Sequence, residues 1–272
     1  MLTLAFPNFD PVALSLGPLV IRWYALAYVA GLILGWRYVL WLAARHPGIV
    51  TREEIDDLLM WATLGVLFGG RAGYVLFYNF PYYSAHPIEI FALWQGGMSF
   101  HGGLSGVLIA VAVFCRVRHR SFLRVGDLVA AAAPIGLFLG RIANFINGEL
   151  FGRPSDLPWA MIFPRDPLQV PRHPSQIYEA GLEGILLFTV LFFFAVPGRA
   201  ADRPGLLGGI FLFGYGLCRM VAEFFREPDP QLGFLWGGAT MGQILSIPVA
   251  AAGVWLIVRG LSRPPAPRAL EI

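Results

Sequence analysis

Lysine is absent from this chain of 272 residues, so all 20 of its basic side chains are arginine. Charge of either sign is scarce, at 14% of residues, where soluble domains carry nearer a quarter. That scarcity, with 57% hydrophobic residues and a mean hydropathy of +0.63, argues against an ordinary soluble domain. Cysteine is equally sparse. Cys115 and Cys218 stand at no ligand-like spacing inside or beside apolar runs, so a disulfide framework, a metal centre or a bound cofactor is not expected. The first basic residue is Arg22, and no basic segment precedes a short apolar core with a small-residue cut site, so no cleavable signal peptide is expected.

What is abundant is long apolar sequence. Seven runs approach the roughly 20 residues needed to cross a bilayer: Arg22 to Ala43, Asp57 to Phe77, Met98 to Cys115, Asp127 to Ile146, Ile177 to Val196, Leu206 to Phe225 and Ala239 to Val258. The chain therefore reads as an all-α polytopic membrane protein, a single integral membrane domain over 1–272 with seven transmembrane helices. Residues 152–173 are expected to form a small extracytoplasmic cap. The stretches 1–20 and 78–95, rich in Phe, Tyr and Trp, are expected to lie along the outer interface. One set of alternate connections holds 11 arginines (45, 52, 116, 118, 120, 124, 199, 203, 259, 263, 268) and the other holds three (153, 165, 172). The positive-inside rule then sets the N-terminus outside and the C-terminus in the cytoplasm.

On that topology the polar residues of the spans collect at one level. Tyr24, Arg71, His101, Arg141, Asn144, Glu149, Arg219, Glu223 and Arg226 all fall in or near the outer half of the membrane. Charged groups there cost several kcal/mol unless compensated, so a shared site is expected. Tyr215, Arg219, Glu223 and Arg226, spaced four, four and three apart, make one helical stripe that must face protein or water. An intrahelical Arg219–Glu223 pair is the plainer reading of that stripe; a bidentate anionic ligand such as phosphate on Arg219 is the sharper one. Arg141 and Asn144 share a helical face, with Asn147, Gly148 and Glu149 beyond; either this group receives phosphate oxygens, or Glu149 simply neutralises Arg141 at a helix end. Arg71 is read equally as a pairing residue or a ligand, and His101 as a buried hydrogen-bonded imidazole or a base. The glycine pairs at 31 and 35, 69 and 73, 102 and 106, and 136 and 140 fit small-residue helix packing.

Ser175, beside Pro174, suits a helix cap. His173 and Ser175 lack a nucleophile-elbow context, which argues against a serine hydrolase. A transporter would need repeats and a polar path through both halves of the membrane, and neither is visible. An intramembrane protease would need paired aspartates or Ser with His inside spans, whereas Asp127 stands at a cytoplasmic span end where it suits a helix cap.

Gly140 to Gly152, GRIANFINGELFG, resembles the signature of the bacterial prolipoprotein diacylglyceryl transferases. The resemblance extends to Arg22-Trp23-Tyr24, Gly69-Gly70-Arg71, Gly97 to Gly103, His173-Pro174-Ser175-Gln176 and Tyr215 to Arg226, in order along nearly the whole chain. It implies an inner-membrane enzyme that moves the diacylglyceryl group of phosphatidylglycerol onto the lipobox cysteine of prolipoproteins, forming a thioether and releasing glycerol phosphate. Its partners would be phosphatidylglycerol, lipobox signal peptides and membrane lipids, with no nucleic acid. By the same resemblance the catalytic residues are Tyr24, His101, Arg141, Arg219 and Glu223, with His101 the first candidate for the base and Glu223 the second. Substrate would be held by Arg71, Arg141, Asn144, Glu149, Gly152, Tyr215 and Arg219.

Overall fold

The computed structural model describes residues 4–7, 9–17, 19–197, 200, 202–228 and 233–265. Arg199 and Arg268, two of the residues that orient the spans, lie outside the described residues, as do Met1, Leu2, Thr3, Asn8 and Pro18 of the amino-terminal stretch. The chain forms two compact units, one built from residues up to Arg45 and from Asp127 onward, the other from His46–Gly126.

The second unit holds α2 (Arg52–Phe77), the short α3 (Phe80–Ala85), two 3-10 turns (Pro87–Phe91 and Leu93–Gln95) and α4 (Phe100–Val117). A capping box starts α2: the Glu54 amide donates to Thr51 Oγ1 at 3.3 Å and the Thr51 amide to Glu54 Oε2 at 2.8 Å. Helices α2 and α4 then meet backbone to backbone along the glycines read from the sequence. A Cβ on Gly69 would lie 2.7 Å from the Gly106 Cα, and one on Gly73 2.7 Å from the Gly102 Cα. Such proximity is the small-residue route to association where lipid supplies no hydrophobic drive. Arg118 pairs with Asp57, and Arg120 reaches Glu54 at 2.9 Å.

The first unit contains α1 (Trp23–Ala43), a helical segment Ser175–Ala195 here called α6, α7 (Leu206–Ala222) and α8 (Met241–Ser262). Helix α5 (Phe122–Ile146) begins in the second unit and continues into the first. Gly31 of α1 packs on Gly136 of α5, and Gly209 and Gly216 of α7 pack on Leu256 and Ala250 of α8. Asp127 does cap a helix, though not its own: its carboxylate accepts from the amides of Gly205 and Gly208, both at 2.7 Å, closing the first turn of α7 from α5. Ser175 differs from expectation. The cap position is Pro174, and the Ser175 hydroxyl instead donates to the carbonyl of Leu150, a residue of positive φ, at 3.1 Å.

Six of these helices are long and apolar enough to cross a membrane, and α7 is a shorter apolar helix, so the protein is a multi-pass membrane protein. Short strands, not read from the sequence, complete the first unit. Val12–Leu16 and Leu19–Arg22 form an antiparallel hairpin, while Leu4–Ala5 pairs in parallel with Met161–Ile162, which in turn pairs antiparallel with Pro171–Arg172. Phe163, fully buried, closes this small sheet against Phe6, Phe145 and Phe151.

Two substitutions test the packing. Gly106→Val forces a side chain into the α2 backbone and is expected to lower the melting temperature in detergent by more than about 10 °C. Asp127→Ala, which removes that cap, is expected to cost about 1–2 kcal/mol and shift the same transition by a few degrees.

Candidate active site

In the apolar segment Ser175–Ala195 two acids stand four residues apart, and both are sealed: Glu179 and Glu183 have no solvent exposure. A buried carboxylate must find cations, and the neighbouring helices supply them. Glu179 Oε2 is ion-paired with Arg141 Nη2 of α5 at 2.6 Å, and accepts from Arg219 Nη1 of α7 at 2.7 Å and from Arg226 Nη1 just beyond α7 at 3.4 Å. Glu183 Oε2 lies 3.2 Å from the same Arg141 nitrogen. Glu223 pairs with Arg219 one turn away, as the stripe on α7 suggests, and accepts the Thr240 hydroxyl at 2.6 Å. Three arginines therefore converge on three glutamates. The arginine side chains keep 12–16% exposure while Glu179 and Glu183 keep none, so the arginines form the more reachable side of the cluster and these two carboxylates its floor.

Local backbone geometry makes this possible. Residues Ala180–Leu186 form a π-helical turn inside α6, a wide turn that recurs at functional sites. Gly184 lets that turn approach α5, since a Cβ there would stand 2.7 Å from the Phe138 Cβ. Phe138 is one turn before Arg141, so this contact brings Glu183 to the guanidinium.

Glu149 does not neutralise Arg141. Its carboxylate accepts from Asn144 at 3.0 Å, Asn147 at 3.3 Å and Arg165 at 3.4 Å, while Gln176 binds its carbonyl at 2.7 Å. The reversal at Gly148 and Leu150, both with positive φ, ends α5 and turns Glu149 back toward Asn144. Tyr24, whose hydroxyl meets that of Tyr28 at 3.2 Å, interacts with Asn144 and Glu149. Tyr215 lies among Arg141, Arg219 and Glu183. Gly152 is held where no side chain fits, its amide donating to the His173 carbonyl at 2.9 Å and a Cβ there falling 2.7 Å from His173 Cβ. Arg153 follows it and binds the carbonyls of Glu223 at 3.0 Å and Arg226 at 2.9 Å, tying residues 152–153 to the end of α7.

The two remaining expected residues belong to the second unit. Arg71 is buried and all its donors go to loop carbonyls: Nε to Ile90 at 2.8 Å, Nη1 to Gly96 at 2.5 Å and Gly97 at 3.3 Å, Nη2 to Glu89 at 2.6 Å and Ala92 at 3.3 Å. Its guanidinium staples the turns between α3 and α4. His101, at the start of α4, is exposed, with its ring edge-on to Phe100. His173 bonds Tyr178, not Ser175, through Nδ1 at 3.2 Å, so no Ser-His nucleophile forms; burial and then Arg153 hold its pKa below the ordinary histidine value.

A model of the family described as prolipoprotein diacylglyceryl transferase matches residues 11–259. The chain belongs to the prolipoprotein diacylglyceryl transferase family. Among its relatives, proteins named phosphatidylglycerol–prolipoprotein diacylglyceryl transferase from Azospirillum brasilense and Paramagnetospirillum magneticum are 61% and 59% identical to it, over 98% and 96% of this chain and 100% and 97% of theirs. The protein of that name from Bradyrhizobium diazoefficiens is 54% identical over 99% of this chain and 98% of its own.

Two residues of this cluster, Glu179 and Glu183, were not placed in a candidate site by sequence reasoning. Their signal was legible: two acids inside an otherwise apolar span, one helical turn apart. Arg172, read from the sequence only as an arginine of a connection, finds partners outside any helical periodicity, Asp166 six residues before it and Glu227 55 after it. It binds the buried Asp166 through Nε at 2.6 Å and Nη2 at 3.1 Å, and Glu227 through Nη1 at 3.1 Å. Burial alone would raise the Asp166 pKa, but Arg172 and the amides of Leu168 and Val170 bring it below the usual carboxylate value. A depressed folded-state pKa means that this pair stabilises the fold above about pH 4, the unfolded value, and loses its effect as pH falls through the folded value. Asp166→Asn should thus cost about 3 kcal/mol at pH 7 in thermal unfolding, with the gap from the parent closing in acid.

Proposed function

We propose that this protein transfers the diacylglyceryl group of phosphatidylglycerol to the lipobox cysteine thiol of prolipoproteins, forming a thioether and releasing glycerol phosphate, the first step of lipoprotein maturation. The observation that carries the reading is the set of three partly exposed arginines held by Glu179 within apolar helices of a family member. A phosphodiester headgroup is the anion such a cradle suits, because guanidinium forks match phosphate oxygens two at a time.

In this proposal Arg141 and Arg219 hold the phosphate. Asn144 and Glu149, with Tyr24 beside them, orient the glycerol and ester oxygens, and Tyr215 and Gly152 shape the site. The precursor thiol has an ordinary pKa of about 8.5, so a base raises its reactive thiolate fraction. His101 takes that proton and passes it to solvent. The Glu223 carboxylate is already engaged by Arg219 and Thr240, which favours His101 over it as the base. The sulfur attacks the glycerol carbon that bears the phosphate, a C–S bond forms, the C–O bond breaks, and its electron pair leaves on the phosphomonoester. Arginine charges stabilise the negative charge gathering there.

The same proposal places the protein in the bacterial inner membrane with seven spans, α7 being the sixth, the N-terminus periplasmic and the C-terminus cytoplasmic. Residues 152–173, with their short strands, form the extracytoplasmic cap. The precursor's signal peptide and membrane lipids are its other partners.

Purified protein incubated with phosphatidylglycerol and a lipobox peptide should increase the peptide mass by one diacylglyceryl unit. Replacing Arg141 or Arg219 by alanine removes buried charge compensation worth several kcal/mol, and should lower the rate by about two to four decades. Near-normal lipidation by Arg141→Ala would refute the phosphate assignment.

A further inference from the structure

The arginine cluster carries an equal number of carboxylates, and two oxygens of its floor take no hydrogen bond among the described residues. Arg141, Arg219 and Arg226 face Glu179, Glu183 and Glu223, so the formal charges cancel. Glu179 Oε1 and Glu183 Oε1 are nevertheless buried with no hydrogen-bond donor among the described residues. Glu183 is the less firmly held of the two. It takes one hydrogen bond, at 3.2 Å, from an Arg141 nitrogen that lies closer to Glu179, and its other oxygen stands 3.8 Å from Arg219. Its place on the π-helical turn, pressed to α5 through Gly184, keeps it behind Arg141 with no exposure of its own.

A simple cationic clamp would hold the product better than the substrate. The lipid headgroup is a phosphodiester with one negative charge, whereas the departing phosphomonoester gains a second charge above its second pKa of about 6. Three uncompensated arginines would favour the dianion and retain it. A sealed carboxylate directly behind the clamp reverses that preference, because each extra ligand charge meets its repulsion in a medium that screens poorly.

We propose that Glu183 is a specificity-determining residue of the headgroup site: acting through Arg141, its carboxylate sets the cluster to retain a phosphodiester monoanion and to release a phosphomonoester dianion. The proposal rests on the reading of this cluster as the phosphate site. It makes Glu183 a positioning residue that sets which anion stays.

The test uses the full-length protein in detergent with phosphatidylglycerol and a lipobox peptide, at pH 8, with glycerol phosphate as the probe inhibitor. For Glu183→Gln the inhibition constant of glycerol phosphate should fall at least about tenfold relative to the KM for phosphatidylglycerol. Glu183→Asp, which keeps the charge, should hold the ratio within about threefold of the parent. A ratio unchanged in Glu183→Gln overturns the proposal, as it must if Glu183 carries a proton in the empty site. A merely structural role would move both constants together and overturns it too. Should Glu183→Gln fail to fold, the unmodified protein decides: glycerophosphoglycerol, a monoanionic diester, should inhibit more strongly than glycerol phosphate, and the opposite order contradicts the proposal. Arg141→Gln separates the two levels. If that change leaves both inhibition and KM intact, the phosphate site itself lies elsewhere; if it weakens both while Glu183→Gln is silent, only the role of Glu183 falls.

Discussion

One carboxylate oxygen organises the buried charge cluster between α5, α6 and α7. Glu179 Oε2 receives guanidinium groups from Arg141, Arg219 and Arg226, contributed by α5, by α7 and by the segment after α7. Three like charges would not stay together at membrane depth without compensation, and a sealed carboxylate would not stay there without cations beside it. Such a group of buried ions is weak evidence for stability, since desolvation offsets much of the attraction. Its use is geometric. It fixes three helix ends in relation to one another and leaves partly exposed arginines as its reachable side.

Around that hub the fold supplies support at short range. The wide turn at Ala180–Leu186 and the bare face of Gly184 bring α6 against α5. Arg153 fastens the carbonyls of Glu223 and Arg226, and Thr240 fastens the Glu223 carboxylate. Gly152 lets the backbones of His173 and Phe225 close on its own where a side chain would part them. A signature that looks like a string of catalytic residues is thus partly one of close approach: Arg141 and Asn144 present side chains, whereas Gly148 and Gly152 present turns and contact.

Much of this was legible in the sequence, and the reasons are physical. Apolar runs of bilayer length give the helices because no other backbone arrangement satisfies its own hydrogen bonds in lipid, apart from a closed barrel. The stripe from Tyr215 to Arg226 could be read because helical periodicity is local. The glycine pairs on α2 and α4 could be read for the same reason. What stayed hidden depends on contacts between distant segments. The parallel pairing of Leu4–Ala5 with Met161–Ile162 has no periodic signal. Nor does the loyalty of Arg141 to Glu179 and Glu183, when Glu149 is nearer in sequence, or the engagement of Arg71 by five carbonyls of the turns after α3. Asp127 was legible as a cap, but the helix it closes is 78 residues away.

The central claim is that Arg141 and Arg219 together clasp the phosphate of an anionic lipid. An experimental structure of the full-length protein with phosphatidylglycerol bound tests it most directly. The account predicts phosphate oxygens within hydrogen-bonding distance of both guanidinium groups, with Glu179 still beneath them. A headgroup bound elsewhere, with the arginines closed on their glutamates and out of its reach, would contradict it.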